Sequence, residues 1–121
     1  MKSKPGDSTL NKWWSQAVKK KYHGSCAVCE DQGDQAHHII KRGNKVTKWC
    51  LWNGVYVCLG CHREITDKPA VAREVERRFG NAEMIDLWGR YNLSSWCAEH
   101  GMTKNEFRAD RLKELKAYVD G

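Results

Sequence analysis

The chain has 121 residues, 40% of them hydrophobic, and carries 21 Lys and Arg against 15 Asp and Glu, which gives a net charge of +6. This length suits one compact domain and argues against a second independent one. No apolar run approaches the roughly 18 residues that cross a bilayer. The polar start lacks a signal-peptide segment, so we predict a cytoplasmic protein with no membrane partner. The positive charge favours a polyanionic partner, although many basic proteins bind no nucleic acid specifically.

The first predicted element is an N-terminal helix at residues 10 to 24, which follows a flexible tail at residues 1 to 9. Apolar side chains recur in it at helical spacing, namely Leu10, Trp13, Trp14, Ala17 and Val18. Trp13 and Trp14 are predicted as core anchors rather than as a platform that stacks nucleic-acid bases. The dipeptide His23-Gly24 is expected to end the helix.

The central region, residues 25 to 68, is rich in Cys, His, Gly and Trp and contains two strand-like stretches, Gln35 to Ile40 and Gly54 to Val57. A basic loop joins them, with Gly43 and Asn44 as turn residues. Its cations are Lys41, Arg42, Lys45 and Lys48. We predict that this loop is flexible and contacts phosphates, with a merely solvated loop as the alternative.

A helical extension is predicted for residues 69 to 121, with about three helices. One begins at Pro69 and ends at Gly80, and a second includes Met84 to Tyr91. The third begins at a capping-box pattern formed by Thr103 and Glu106. These helices are interpreted as packing elements, and the whole chain as one domain of the α+β class.

Two C-x-x-C motifs predict a zinc site. Their cysteines are Cys26, Cys29, Cys58 and Cys61. Each pair can place two thiolates on one tetrahedral zinc, and a site closed by four sulfurs stabilises a fold rather than catalysing a reaction. Iron would suit the same sulfurs, and a redox dithiol is a weaker alternative. Cys50 and Cys97 have no partner at ligand spacing and are predicted to be small buried side chains.

Three histidines and an asparagine lie between and beside these cysteines. His37 and His38 are adjacent on a predicted strand, where neighbouring side chains point to opposite faces, so they are expected to have different roles. Asn53 lies five residues before Cys58. His62 follows the second motif directly, at the start of a short predicted helix.

In this order the cysteine pairs, His37-His38, Asn53 and His62 resemble the signature of the HNH, or ββα-metal, nucleases, over residues 26 to 62. The chain is also similar to small HNH proteins of phages and prophages. The resemblance implies a zinc-stapled ββα-metal core flanked by an N-terminal helix and the C-terminal helices. It implies a DNA endonuclease or nickase, which would act in the bacterial host cell if a phage encodes it.

The resemblance also implies a role for each residue. His37 and His62 would bind a catalytic divalent metal, and His38 would be the general base that deprotonates water. Asn53 would fix the loop that orients His38. Mg²⁺ or Mn²⁺ is expected as the catalytic ion, with Ni²⁺, Co²⁺ or Zn²⁺ as alternatives because imidazole ligands suit them.

Many members of the family have a further metal ligand one helical turn after the position of His62. That position is Thr66 in this chain, with Glu64 and Asp67 nearby as substitutes. Arg63 is a candidate phosphate contact, although a solvated arginine at a helix start is an equal alternative.

The expected partner is duplex or branched DNA, and RNA stays an alternative. A second copy of the chain, or phage packaging and recombination proteins, are further candidate partners. The alternative function is a non-catalytic, zinc-stabilised module that binds nucleic acid or protein through the same basic surface.

Overall fold

The computed structural model describes residues 6–41, 43–80, 82–88 and 91–121. Its elements are α1 (Asp7–Lys21), β1 (Gln35–His38), a 3-10 turn (Leu51–Asn53), β2 (Gly54–Val57), α2 (Leu59–Asp67), α3 (Pro69–Phe79), α4 (Ala82–Trp88), α5 (Leu93–Glu99) and α6 (Lys104–Asp120). The described residues thus combine six helices with one two-stranded antiparallel sheet, an α+β architecture. None of the helices seen in these ranges has the length and apolar character needed to cross a bilayer.

Helix α1 begins at Asp7, so the prediction that residues 7 to 9 belong to a flexible tail was wrong. An aspartate in the first turn favours the helix because it complements the positive end of the helix dipole. The Asp7 carboxylate also accepts a hydrogen bond from the Arg108 guanidinium on α6. The helix ends at Lys21, three residues before the end of the predicted range. His23 and Gly24, which were expected to end it, have φ values of 55° and 76° and lie outside the right-handed helical region.

The two strands pair antiparallel, with Gln35 opposite Val57 and His38 opposite Gly54. The bounds of β2 are as predicted, whereas β1 ends at His38 rather than at Ile40. One further backbone bond follows, from Ile39 N to Asn53 O at 2.9 Å, and the N–H of Ile40 then donates to the side chain of Asn53 and not to a strand.

Helix α1 packs directly on β2. A side chain at Gly54 would collide with Val18 Cγ2, and its Cβ would lie 2.8 Å from Trp14 Cζ2. The missing side chain at Gly54 therefore lets α1 approach the strand closely. Trp14 is buried at this contact, as predicted for a core anchor, and Trp13 packs half-buried beside it.

Among the described residues, the buried apolar side chains form three clusters. The first joins α1, β2 and α6; the second joins β2, α2 and α3 around Cys26; and the third joins α5 and α6 to Val46. Cys50 and Cys97 are buried, as predicted. The zinc-motif cysteines thus border one hydrophobic cluster, and α1 belongs to another.

The described part of the C-terminal region has four helices, α3 to α6, where about three were predicted. The additional helix is α5, which is only seven residues long and is capped by the Asn92 side chain, which accepts from Ser95 N at 2.8 Å. The predicted capping box is confirmed, since Thr103 and Glu106 each accept a hydrogen bond from the other's backbone N–H.

Candidate functional site

The four cysteines of the C-x-x-C motifs come together at the base of the hairpin formed by β1 and β2. All four Sγ atoms lie within 4.8 Å of one another, and those of Cys29 and Cys58 are 3.7 Å apart. Zinc with Zn–S bonds of about 2.3 Å in a tetrahedron requires sulfurs about 3.8 Å apart. The cysteines therefore lie close enough to hold a zinc ion.

Local backbone structure explains this convergence. Cys26 and Cys29 lie in a turn that precedes β1, while Cys58 is the N-cap of α2 and Cys61 is in its first turn. The Cys58 sulfur accepts a hydrogen bond from Cys61 N at 3.4 Å. Each motif thus presents both of its sulfurs on one side of a turn.

The pKa values of the thiols differ within the cluster. Although burial raises the pKa of Cys26, hydrogen bonds from the backbone of Cys29, Cys58 and Val28 lower it to about 6. Burial, followed by the neighbouring thiols, raises the pKa of Cys61. Several thiolates this close together repel one another, so a bound cation is the natural partner of this donor set.

A cleft of about 670 Å³ lies next to the hairpin, between α1, β1 and α2. Its lining residues are Asn11, Trp14, Ser15, Gln35, Ala36, His37, His38, Lys41, His62 and Thr66. All three histidines singled out in the sequence thus face one cavity, although His37 and His38 are neighbours on a strand. Within the cavity, His37 lies beside His62, whereas His38 lies against Trp14.

His37 and His62 form a pair in this cleft. Their ring centroids are 5.3 Å apart and the rings are inclined by 68°. A single ion bound at about 2.1 Å by one nitrogen of each ring is compatible with this centroid separation. Burial, followed by the nearby His62 ring, lowers the pKa of His37 below 6.5. This shift favours the neutral ring, which has a lone pair to donate.

The His38 ring is held at one face and at one nitrogen. It stacks on Trp14 at 3.9 Å between centroids with an interplanar angle of 9°, and its Nε2 lies 2.9 Å from the Lys48 carbonyl oxygen. A carbonyl only accepts, so Nε2 donates the proton, and the lone pair of the neutral ring is on Nδ1. Trp14 is fixed in turn, because its Nε1 donates to the Cys50 carbonyl at 2.9 Å.

Asn53 braces the loop that carries the Lys48 carbonyl. Its side chain is fully buried; Oδ1 accepts from Ile40 N at 2.6 Å, and Nδ2 donates to the carbonyls of Ile40 and Thr47 at 3.1 and 3.0 Å. These bonds join the two ends of the segment between β1 and the 3-10 turn. The Asn53 amide thus holds the loop whose Lys48 carbonyl contacts His38.

The basic loop differs from its prediction at Lys48. This residue is 7% exposed, its ammonium lies 3.5 Å from the Asp7 carboxylate, and burial lowers its pKa. The prediction of a flexible loop that presents Lys48 to phosphates was therefore wrong, because the turn packs into the core through Val46 and Trp49. Asn44 orders it by accepting from the N–H groups of Val46 and Thr47.

The other predicted cations have varied positions. Lys41 is exposed and lines the cleft. Lys45 is exposed and lies 4.0 Å from the Asp7 carboxylate. Arg63 is exposed on α2 and is not among the residues that line the cleft. Arg42 lies outside the described residues.

The three candidates for a third metal ligand lie in different surroundings. Thr66 lines the cleft, and its hydroxyl donates to the His62 carbonyl at 2.9 Å. Glu64 instead pairs with Lys68 at 2.7 Å. Among the described residues the four cysteines form the one group of three or more ligand side chains, so neither Glu64 nor Asp67 joins the histidine pair.

Two residues of this site were not predicted from the sequence to contact its histidines. Trp14 was predicted as core, and it is also the surface on which His38 stacks. Gln35 lies two residues before His37, and its amide nitrogen is 3.0 Å from His62 Nδ1. The available signal was strand alternation, which places Gln35 and His37 on the same face.

Comparisons with protein-family models, with characterised proteins and with solved structures found no match to this chain.

Proposed function

We propose that this protein is a metal-dependent endonuclease or nickase of the HNH type, which hydrolyses phosphodiester bonds in DNA. One observation carries the proposal: the cleft brings together a histidine pair able to bind a cation and a separate histidine with its Nε2 at a backbone carbonyl. A general base together with a metal ion is a combination that can catalyse phosphodiester hydrolysis.

In this proposal His38 is the general base. The Lys48 carbonyl holds the proton on Nε2, so Nδ1 accepts a proton from the attacking water. The water oxygen forms a bond to phosphorus as the bond to the 3′ oxygen breaks, and the leaving oxygen takes a proton from solvent. The products are a 5′-phosphate and a 3′-hydroxyl.

His37 and His62 would hold the divalent cation, for which Mg²⁺ and Mn²⁺ are the expected ions. When bound, it would offset the negative charge that develops on the phosphoryl group. Lys41 supplies a positive charge at the cleft wall and would bind the backbone of the substrate. Structural zinc at the four cysteines would hold the hairpin that carries these residues.

The experiment is cleavage of supercoiled plasmid and of branched DNA by the zinc-loaded protein with Mg²⁺ or Mn²⁺. Loss of the general base in His38→Ala should lower the rate by about 10²- to 10⁴-fold, with little change in DNA binding. The matched control is His23→Asn, which removes an imidazole outside the cleft at a position with φ 55° that asparagine tolerates. It should cleave like the parent.

The second candidate function is a non-catalytic module that binds nucleic acid or protein. It is favoured by the lack of a carboxylate beside His37 and His62 among the described residues. If the parent leaves every substrate intact with each metal, and His38→Ala binds DNA as tightly as the parent, the nuclease proposal fails and the binding module is supported.

A further inference from the structure

The side chain of Gln35 lies against the imidazole of His62. Gln35 is the first residue of β1 and pairs with Val57, so its side chain is on the same face of the strand as that of His37. Its amide nitrogen lies 3.0 Å from His62 Nδ1, in a partly buried position on the cleft wall. Both ring partners of His62 described so far therefore come from β1.

This contact limits how His62 can bind a cation. A neutral imidazole has one protonated nitrogen and one lone pair, and Nδ1 is occupied by the amide, so Nε2 is the ring nitrogen left for a metal. For Nε2 to have the lone pair, Nδ1 must carry the proton. The partner of Nδ1 must then be an acceptor.

A glutamine can provide either partner. With its NH₂ group toward Nδ1, the amide donates to the ring and leaves the proton on Nε2, which prevents metal binding. A half-turn of the amide places its oxygen there instead, which accepts from Nδ1–H and frees the Nε2 lone pair. The same side chain thus satisfies His62 in both forms, with no movement of the strand.

We infer that Gln35 is a positioning residue for the catalytic cation: it holds the His62 ring and, by turning its amide, selects the Nδ1–H form whose Nε2 binds the metal. This inference rests on the proposed function, because it assumes that His37 and His62 form the cation site. Partners of this kind typically change metal affinity by about 10- to 100-fold when they are removed.

The first test measures Mn²⁺ binding to the full-length, zinc-loaded protein by electron paramagnetic resonance. Gln35→Leu removes the hydrogen bond at similar volume and should weaken Mn²⁺ binding by about 10- to 100-fold. Gln35→Glu offers only acceptor oxygens to Nδ1 and should bind Mn²⁺ as tightly as the parent or more tightly. The control Gln16→Leu changes an exposed glutamine on α1 and should bind like the parent. Unchanged zinc content shows that each variant is folded.

The second test uses NMR of the imidazole nitrogens. The parent should show a proton on His62 Nδ1 once Mg²⁺ is added, and Gln35→Glu should show it before the addition. Equal Mn²⁺ affinities of Gln35→Leu and the parent, or an unprotonated Nδ1 in the Mg²⁺-loaded parent, would overturn the inference.

The two proposals fail in different ways. If the parent binds Mn²⁺ and this binding depends on Gln35, but no DNA is cleaved, the nuclease proposal fails and the role of Gln35 stands. If the parent cleaves DNA and Gln35→Leu binds Mn²⁺ and cleaves like it, only the role of Gln35 is wrong. If the parent binds no Mn²⁺, the role of Gln35 is wrong, and the nuclease proposal fails as well only if no divalent ion supports cleavage.

Discussion

Replacing Asn53 with alanine removes three hydrogen bonds at the loop that orients His38. The carbonyl of Thr47 would lose one of its two donors and keep the other, the Cys50 N–H at 3.0 Å, so this loss is about 0.5 to 1.5 kcal/mol. The two bonds to the partly buried backbone N–H and C=O of Ile40 would also be lost, and each contributes about 0.5 to 1.5 kcal/mol to stability. We therefore expect Asn53→Ala to lower the free energy of unfolding by about 1.5 to 4.5 kcal/mol, a large share of the roughly 5 to 15 kcal/mol typical of a domain.

The assay is denaturant unfolding of the zinc-saturated protein, followed by tryptophan fluorescence. Asn92→Ala is the matched control, because it removes an amide that caps α5 and should cost about 1 kcal/mol without affecting cleavage. At temperatures where Asn53→Ala remains folded, its cleavage rate should fall by about 10²-fold, because His38 is no longer held in place. A loss of stability no larger than that of Asn92→Ala would refute the bracing role of Asn53.

Three further predictions concern other contacts. Gly54→Ala should lower the free energy of unfolding by about 1 to 3 kcal/mol through overpacking against α1, whereas Gly43→Ala, with no atom within 4 Å of its Cβ, should change it little in the same measurement; equal effects would contradict the close packing. Removing zinc with a chelator should lower the denaturation midpoint, and Cys29→Ser should weaken zinc binding in a calorimetric titration; an unchanged midpoint would argue against a structural role. Asp7→Asn should lower the free energy of unfolding by about 0.5 to 1 kcal/mol, and by less at 1 M salt. The hydrogen bond from Arg108 holds the pKa of Asp7 below 3.8, so this difference should be present at pH 5 to 7 and disappear as pH falls through that lowered value; a difference that salt does not reduce would exclude an ionic origin.

Local patterns predicted much of this fold. The spacing within each C-x-x-C motif, the capping box at Thr103 and the positive-φ dipeptide His23-Gly24 depend on neighbours in the sequence, and all appear in the structure. Helix α5 was missed because seven residues show barely two turns of periodicity. Its N-cap, Asn92, was the one local signal available.

The contacts within the cleft depend on residues far apart in the chain, and their sequence patterns do not reveal them. Trp14 and His38 are 24 positions apart, and nothing in the spacing of either one indicates that the two rings stack. Lys48 was misassigned because lysines are seldom buried, and only the packing of its turn places Asp7 beside it. The family resemblance offered roles for the histidines, but not the partner atoms that give those roles a physical basis.

Helix α1 lies outside the segment that the cysteines enclose, yet Asn11, Trp14 and Ser15 form one wall of the cleft. An excised fragment of residues 25 to 68 would keep every candidate ligand, but it would lose the ring on which His38 stacks. The hairpin alone therefore does not form the complete cleft, and a graft of this site into another protein would have to include α1. Residue 54 should also vary together with residues 14 and 18, since a larger residue at position 54 has room only beside smaller ones at both positions.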